Sequence, residues 1–175
     1  MSKATAAAPE PTEYASYYGG YVSLVPAGDI VETLASQLAT VRELLASIDE
    51  SKGAYRYAPG KWSIKELMGH IIDAERVFSF RALAFARGDE QPIPGMDQDP
   101  YVANGKFDDV PLRDLAEQFD HLRAANVLLF KGLPDEAWTR IGTASGNPIS
   151  VRALAHILAG HVAHHISVLR EKYLA

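Results

Sequence analysis

The sequence places four of its six histidines within ten residues, which makes this segment the most informative one for function. These four are His156, His161, His164 and His165. His161 and His165 are four residues apart, so on a helix both side chains project from one face and can bind a single metal ion. The pair continues an apolar stripe of Leu154, Leu158 and Val168, which directs both imidazoles toward a protein interior.

The other two histidines of this segment are weaker ligand candidates. In helical projection His164 lies about 60° from His161, and His156 shares its line with Gly160 and Ala163, which indicates a helix contact or an exposed face. A histidine pair alone is also compatible with two imidazoles that form ordinary hydrogen bonds in a core. Moreover, a pair leaves a divalent ion short of ligands, because catalytic sites commonly have three protein ligands and one open position.

His70 is the best third ligand, because it lies in the apolar middle of a separate helical stretch. Alone, such a residue is more often a hydrogen-bonded core histidine than a ligand. With His161 and His165 on a second inward face, a shared three-histidine site becomes the better explanation. His121, beside Asp120, is either exposed or approaches the site, and we do not include it as a ligand.

Two acidic residues flank His70 at a distance of about one helical turn. Asp73 follows it and Glu66 precedes it, and either could orient an imidazole or accept a proton near the site. Glu66 is better explained as a helix cap. For Asp73, an ion pair with a nearby basic residue is as good an explanation as a role at the site. Asp73 is therefore the catalytic candidate, as a group next to the metal ligands that orients an imidazole or accepts a proton.

The composition and the motifs exclude several other kinds of site. The chain has no cysteine, so disulfides, thiolate metal sites and cysteine nucleophiles are excluded. Residues 162–164 are Val, Ala and His, so the H-E-x-x-H pattern of zinc proteases is absent, as is the Glu-x-x-His pattern of di-iron bundles. With 17 basic and 22 acidic residues the net charge is −5, which is not the footprint of a nucleic-acid binder or an anionic-membrane binder.

Four stretches have the spacing of apolar residues at threes and fours that is typical of helices. They run from about Asp29 to Ile48, from Ser63 to about Arg87, from near Pro111 to just before Gly132, and from Ser150 almost to residue 175. Asp29 and Ser63 have the form of helix N-caps with an acid three residues on. No stretch of useful length alternates as a strand would. We therefore predict an all-α fold, a four-helix bundle over residues 29–175, and a partly flexible N-terminal extension over residues 1–28.

The connection from Gly88 to Val110 is unusually long for a bundle. Its prolines and glycines predict that it is not a hidden helix. A connection of this length can cross the end of the bundle, which would make the second and third predicted helices parallel, and it can cover the mouth of a pocket. Between the third and fourth predicted helices, Leu133–Arg140 is compatible with a short helical turn and Gly142–Pro148 with a loop.

At this point the sequence resembles the DinB-like superfamily, named for damage-inducible bacterial proteins. Three ordered segments carry the resemblance, and together they extend it over nearly everything from about residue 29 onward. They are Trp62-Ser63 followed by Gly69 to Glu75, Arg81 to Asp89 leading into Pro92 to Tyr101, and His156 to His165.

The resemblance implies a four-helix bundle with up-down-down-up topology. It also implies a divalent metal ion, commonly nickel or zinc, held by one histidine of the second helix and an H-x-x-x-H pair of the last helix. Carried over to this sequence, the ligands are His70, His161 and His165, the same three that the apolar stripes indicate. Many members of the superfamily are dimers. Characterised relatives include transferases that use low-molecular-weight thiols such as bacillithiol, and mycothiol-dependent isomerases.

From this resemblance we expect a metal-dependent hydrolase or thiol S-transferase that acts on a small molecule, with a low-molecular-weight thiol as a possible cofactor. The alternatives are a metal-binding protein without turnover and a dimeric interaction or stress-response protein. We expect a homodimer with neither nucleic acid nor membrane as partner. No segment approaches the roughly 18 apolar residues of a membrane span, and residues 1–11 lack the apolar core of a secretory signal, so a cytoplasmic location is predicted.

Overall fold

The computed structural model describes residues 7–175 and contains four long helices and two short ones. The long helices are α2 (Ile30–Ala46), α3 (Ile64–Ala86), α5 (Leu112–Lys131) and α6 (Val151–Val168), and α6 continues as a π-helical turn, Leu169–Tyr173. The short helices are α1 (Gly19–Val22) and α4 (Gln98–Gly105). The long helices match the four predicted stretches, so the all-α fold class is confirmed. Within residues 7–175, no helix combines the length and the apolar composition that a bilayer span requires.

Side-chain caps determine where three of the long helices begin. The Asp29 carboxylate accepts hydrogen bonds from the backbone of Val31 and Glu32 at the start of α2. Ser63 and Glu66 form a reciprocal capping box at the start of α3, so the predicted capping role of Glu66 is confirmed. The Ser150 hydroxyl accepts from the Ala153 backbone at the start of α6. Each cap satisfies backbone N–H groups that the first helical turn leaves without partners.

Two clusters of buried apolar residues show the direction of every long helix. One cluster includes Leu34, Phe85, Phe130 and Leu154. The other includes Leu45, Met68, Leu115 and Val162. From the first cluster to the second, residue numbers rise along α2 and α6 and fall along α3 and α5. The topology is therefore up-down-down-up, as expected, with α3 and α5 parallel.

The long connection between α3 and α5 contains a helix, so the prediction that it would have none is wrong. α4 occupies Gln98–Gly105, and the Asp97 side chain caps it by accepting a hydrogen bond from the Asp99 backbone. Pro100 is compatible with this helix because it lies in the first turn, where the missing N–H would have had no intrahelical partner.

A β-hairpin replaces the predicted loop between α5 and α6, so the expectation of no strand is also wrong. Strands β1 (Ile141–Ala144) and β2 (Asn147–Ser150) pair antiparallel, with Gly142 opposite Ile149. The two turn residues, Ser145 and Gly146, have φ values of 53° and 75°, as a two-residue hairpin turn requires. The segment before the hairpin forms the predicted short helical turn, at Asp135–Ala137.

Residues 7–28 lie against the bundle, chiefly on α6. A methyl group at Gly160 would overlap the backbone carbonyl of Tyr21, so α1 and α6 approach each other as closely as glycine allows. Upstream, Glu13 accepts hydrogen bonds from Ser150 and Arg152. Residues 1–6 of the predicted extension lie outside the described residues, and a domain boundary at residue 28 stays a prediction.

Candidate metal centre

The three candidate ligands converge at one point between α3 and α6. His70 Nε2 lies 3.0 Å from His161 Nε2, and His165 Nε2 lies 3.1 Å from the same atom. Among the described residues, these three form the group whose ligand atoms all lie within 4.8 Å of one another. The structure thus brings together the histidines that the apolar stripes selected.

The chemistry of this donor set fits a divalent cation. Ligand nitrogens on a tetrahedral zinc ion at about 2.0–2.1 Å lie roughly 3.3 Å apart, close to the separations seen here. Mutual hydrogen bonds satisfy these nitrogens poorly, because the single N–H or lone pair on His161 Nε2 cannot serve two neighbours well. Three Nε2 lone pairs directed at one cation would resolve these contacts.

Burial keeps the three imidazoles neutral and able to act as ligands. Desolvation lowers the pKa of His70 to about 4, an effect that the negative charge of Asp99 partly opposes. Desolvation, together with the neighbouring histidines, lowers the pKa of His161 well below its ordinary range and that of His165 to about 3. Because a protonated imidazole cannot bind a metal ion, these shifts maintain the ligand form at neutral pH.

Aromatic side chains fix the orientation of the histidine rings. The Trp62 ring lies 4.8 Å from the His70 ring, centroid to centroid. Tyr21 makes an edge contact with His161, and Phe78 makes a second one, with centroid distances of 5.3 Å and 6.0 Å. Tyr21 comes from α1, so the N-terminal segment supports the site directly.

The three histidines line a cavity of about 470 Å³, which is large enough for a small molecule. Its other lining residues are mainly aromatic or apolar, with one cationic and a few uncharged polar side chains. They are Tyr17, Tyr18, Tyr21, Trp62, Ala74, Val77, Phe78, Arg81, Gly95, Met96, Gln98 and Ser145. None of these side chains is a carboxylate. A larger cavity of about 580 Å³ between α2 and α5 includes none of the three histidines.

Of the other candidates, His164 lies beside the cluster, with its ring 4.9 Å from the His165 ring, centroid to centroid, and the rest have partners of their own. Asp73 accepts a hydrogen bond from Arg76, which also donates to Gln118 of α5. Burial raises the pKa of Asp73, although Arg76 opposes the shift. His121 is exposed beside Glu117. His156 is buried, with Nδ1 2.9 Å from the Arg152 carbonyl oxygen of the same helix, so the exposed face, one of the two predicted surroundings, is wrong.

Several residues of the site were missed by sequence reasoning. Trp62 precedes the N-cap of α3, and Tyr21 lies in the segment that was assigned to an extension. Asp99, whose charge acts on His70, belongs to the helix that was not predicted. Ala74 and Phe78 could have been predicted to line the cavity, because they follow His70 by four and eight residues and therefore share its face of the helix.

Comparisons with known proteins agree with the fold. The sequence profile of the DinB superfamily matches residues 33–169. A candidate metal-dependent hydrolase of Oceanobacillus iheyensis is 25% identical over 142 residues, which make up 80% of this chain and 79% of that protein.

Two solved structures share the fold. One is YfiT from Bacillus subtilis, described as a candidate metal-dependent hydrolase with an unusual four-helix bundle topology. It has a TM-score of 0.72 at 14% identity, over 93% of this chain and 89% of YfiT. The other is a mycothiol-dependent maleylpyruvate isomerase, with a TM-score of 0.65 at 15% identity, over 78% of this chain and 58% of the isomerase. The chain thus spans little more than half of the isomerase.

Proposed function

Because the chain belongs to the DinB superfamily, we propose that it is a metal-dependent enzyme of the thiol S-transferase type. In this proposal His70, His161 and His165 hold a divalent ion, nickel or zinc, and the adjoining cavity receives a low-molecular-weight thiol and a small acceptor. The observation that carries the proposal is the position of the three imidazoles in the wall of a cavity of about 470 Å³. A metal ion at such a position keeps a coordination site open to small molecules.

A divalent ion bound there would lower the pKa of a coordinated thiol or water and so supply a nucleophile at neutral pH. The chain's own residues prepare the site for this chemistry. The neutral imidazoles offer three lone pairs, and the rings of Trp62, Tyr21 and Phe78 hold two of those imidazoles in place. In the reaction, the thiol loses its proton to solvent, its sulfur bonds to the acceptor, and the leaving group departs with its bonding electrons.

The cavity lining favours a thiol over water as the nucleophile. A metal-dependent hydrolase commonly uses a carboxylate as general base toward water, whereas a thiol that has already ionised needs no base. None of the side chains that line this cavity is a carboxylate, and Asp99, whose charge acts on His70, lines a neighbouring cavity with His165. Asp73, as a positioning group beside the ligands, stays a proposal.

Hydrolysis is the second candidate function, because the similar proteins from Oceanobacillus and Bacillus are both described as candidate metal-dependent hydrolases. A site without turnover is the third, in which the ion only joins α3 to α6. An exchangeable coordination position separates the third candidate from the first two, since a structural site is closed to added thiols and a catalytic site is not.

The first experiment is to measure metal content per chain by mass spectrometry on untagged protein purified without added metal. We expect about one ion per chain in the wild type and its loss in His70→Ala, His161→Ala and His165→Ala, because two ligands bind a divalent ion too weakly to retain it. His121→Ala, an exposed histidine away from the site, and His156→Ala are the matched controls and are expected to keep the ion.

Two results would contradict the proposal. A wild-type protein that neither contains nor takes up nickel or zinc would leave the three histidines as polar core residues. Loss of the ion in His156→Ala but not in His70→Ala would show that the ligands are assigned to the wrong residues. If the ion is confirmed, turnover of thiols with electrophilic acceptors, compared with ester and amide hydrolysis, separates the first two functions.

A further inference from the structure

Arg81 is a buried cation in the wall of the cavity that contains the histidines. Only 2% of the residue is exposed. Its Nη2 donates to the Pro94 carbonyl oxygen at 3.0 Å and to Ser145 Oγ at 3.2 Å, and its guanidinium carbon lies 5.7 Å from the Phe78 ring centroid. Its buried Nε has no hydrogen-bond partner within residues 7–175.

The charge of Arg81 has no counter-ion in the part of the chain that the structure describes. The ion pairs of that part, with nitrogen and oxygen within 4.0 Å, do not include Arg81. The other buried arginine of the core, Arg123, has a bidentate carboxylate partner in Glu75. A buried guanidinium that lacks such a partner is costly, because burial removes the water that would otherwise solvate the charge.

The side chains around Arg81 suit an anion. The Ser145 hydroxyl accepts a hydrogen bond from the guanidinium, and the side chains of Tyr18 and Gln98 line the same cavity. These groups are uncharged hydrogen-bond donors, so they can add bonds to an anionic group without repelling it. Arg81, Tyr18, Gln98 and Ser145 therefore form a corner of the cavity that has one positive charge and several neutral hydrogen-bond donors.

This corner lies close to the proposed metal centre. The Phe78 ring centroid is 5.7 Å from the guanidinium carbon and 6.0 Å from the His161 ring centroid, so the guanidinium carbon lies no more than about 12 Å from that ring. Apolar side chains, Ala74, Val77 and Phe78, line the cavity as well. One small molecule can therefore reach from the histidines to Arg81 across an apolar wall.

We propose that Arg81 binds the carboxylate of a small-molecule ligand whose reactive end lies at the three histidines. This inference rests on the proposed function, because it supposes that the cavity receives a substrate or a thiol. The guanidinium charge attracts a carboxylate, and the unpartnered Nε–H can donate to one of its oxygens while Nη2 keeps its bonds to Pro94 and Ser145. The site thereby selects acids over neutral molecules of the same length.

Matched pairs of ligands that differ only at one end test this selectivity. Octanoate and octan-1-ol, titrated into the full-length protein, are compared by quenching of Trp62, which lines the cavity. 8-Mercaptooctanoate and 8-mercaptooctan-1-ol are compared on cobalt-loaded protein, where a thiolate-to-metal absorption band reports sulfur at the ion. We expect each acid to bind roughly 10- to 100-fold tighter than its alcohol, the range given by a hydrogen bond to a charged group.

Three variants assign the preference to Arg81. Arg81→Gln is expected to bind each acid and its alcohol with similar affinity, with the affinity for the alcohol unchanged. Arg81→Lys is expected to be intermediate, since it keeps the charge and loses the Nε donor. Arg87→Gln removes an exposed cation at the C-terminal cap of the same helix and is expected to behave as the wild type. A purely structural role of Arg81 would instead weaken acid and alcohol alike.

The two ligand pairs separate failure of this inference from failure of the proposed function. A thiolate band with equal affinity for acid and alcohol in the wild type would overturn the role of Arg81 and leave the function intact. An octanoate preference without any thiolate band would leave the carboxylate site standing and overturn the thiol chemistry. Both wild-type results stand even if Arg81→Gln does not fold.

Discussion

At the scale of single residues, the core contains one fully buried ion pair that connects the long helices. Arg123 of α5 donates two hydrogen bonds, each 2.8 Å long, to the Glu75 carboxylate of α3. The same carboxylate accepts from Asn126, and Arg123 also donates to Gln37 of α2. Because every charged atom has a partner, the network compensates for the desolvation of two charges.

Breaking this pair from one side should be far more damaging than replacing both residues. Arg123→Met leaves the Glu75 carboxylate buried without a counter-ion, so we expect a loss of about 3–5 kcal/mol in the free energy of unfolding. The double variant Glu75→Leu, Arg123→Met should recover much of that loss. Urea denaturation of the wild type, both single variants and the double variant provides the measurement, and additive losses would contradict the coupling.

The convergence of His70, His161 and His165 could be predicted from the sequence, because each lies on an apolar helical stripe that directs its side chain toward the interior. The surroundings of Arg81 could not be predicted in this way. They come from the connection before α4 and from the hairpin turn, through Pro94 and Ser145. Those two segments are distant in sequence, and no local pattern relates them. Trp62 and Tyr21 were missed for the same reason.

At the scale of elements, an ion pair between Glu13 and Arg152, which we call the ionic clasp, connects the N-terminal segment to the start of α6. Glu13 accepts hydrogen bonds from the Arg152 guanidinium and from the Ser150 hydroxyl, which also caps α6. Burial raises the pKa of Glu13, but the bonds from Arg152 and Ser150 outweigh it and hold the pKa at about 2 instead of the usual 4.5. The clasp therefore depends on an ionised carboxylate.

This pKa predicts an acid-dependent loss of stability. A pKa lowered in the folded state contributes stability that is complete above pH 4.5 and disappears as the pH falls toward 2. We expect Glu13→Gln to cost about 1–3 kcal/mol at neutral pH, in the range of a charge-assisted hydrogen bond. Urea denaturation at a series of pH values measures the difference from the wild type. A difference that stays constant down to pH 2 would contradict the assignment.

The long helices were predictable because their caps and apolar spacing agree with each other. The sequence pattern failed at α4 and at the hairpin. At α4, the prolines that suggest irregular structure are confined to the first turn and the preceding segment, where they do not oppose a helix. At the hairpin, the strands have four residues each, too few for alternation to be visible, and Ser145-Gly146 was a turn signal of a kind also found in loops.

At the scale of the whole molecule, several large apolar side chains remain exposed on α3 and α5. Phe80, Leu83 and Leu128 are the exposed members on these two parallel helices, and Leu128 is exposed to 69%. Phe80 and Leu83 are about one turn apart on α3, and a contiguous exposed apolar surface is typical of a site that another protein covers. They offer a location for the homodimer that the family resemblance implies.

We therefore propose a dimer that uses this surface, and sedimentation equilibrium tests it. The wild type is expected to sediment as a dimer and Leu128→Glu as a monomer, because a carboxylate cannot be buried there without a partner. Ile141→Glu, at an equally exposed position on the hairpin, is the control and is expected to remain dimeric. A monomeric wild type, or a dimer that persists in Leu128→Glu, would contradict this assembly.

The close contact between Tyr21 and Gly160 has a consequence for biosynthesis. Tyr21 precedes the long helices in the chain, whereas Gly160 lies on α6, which follows the other three long helices and carries two of the three histidines. During translation a nascent chain thus contains only His70 of the three until α6 is made, and the cavity is completed when α6 packs against Tyr21. Assembly of the histidine cluster and assembly of the pocket therefore coincide in one step of synthesis.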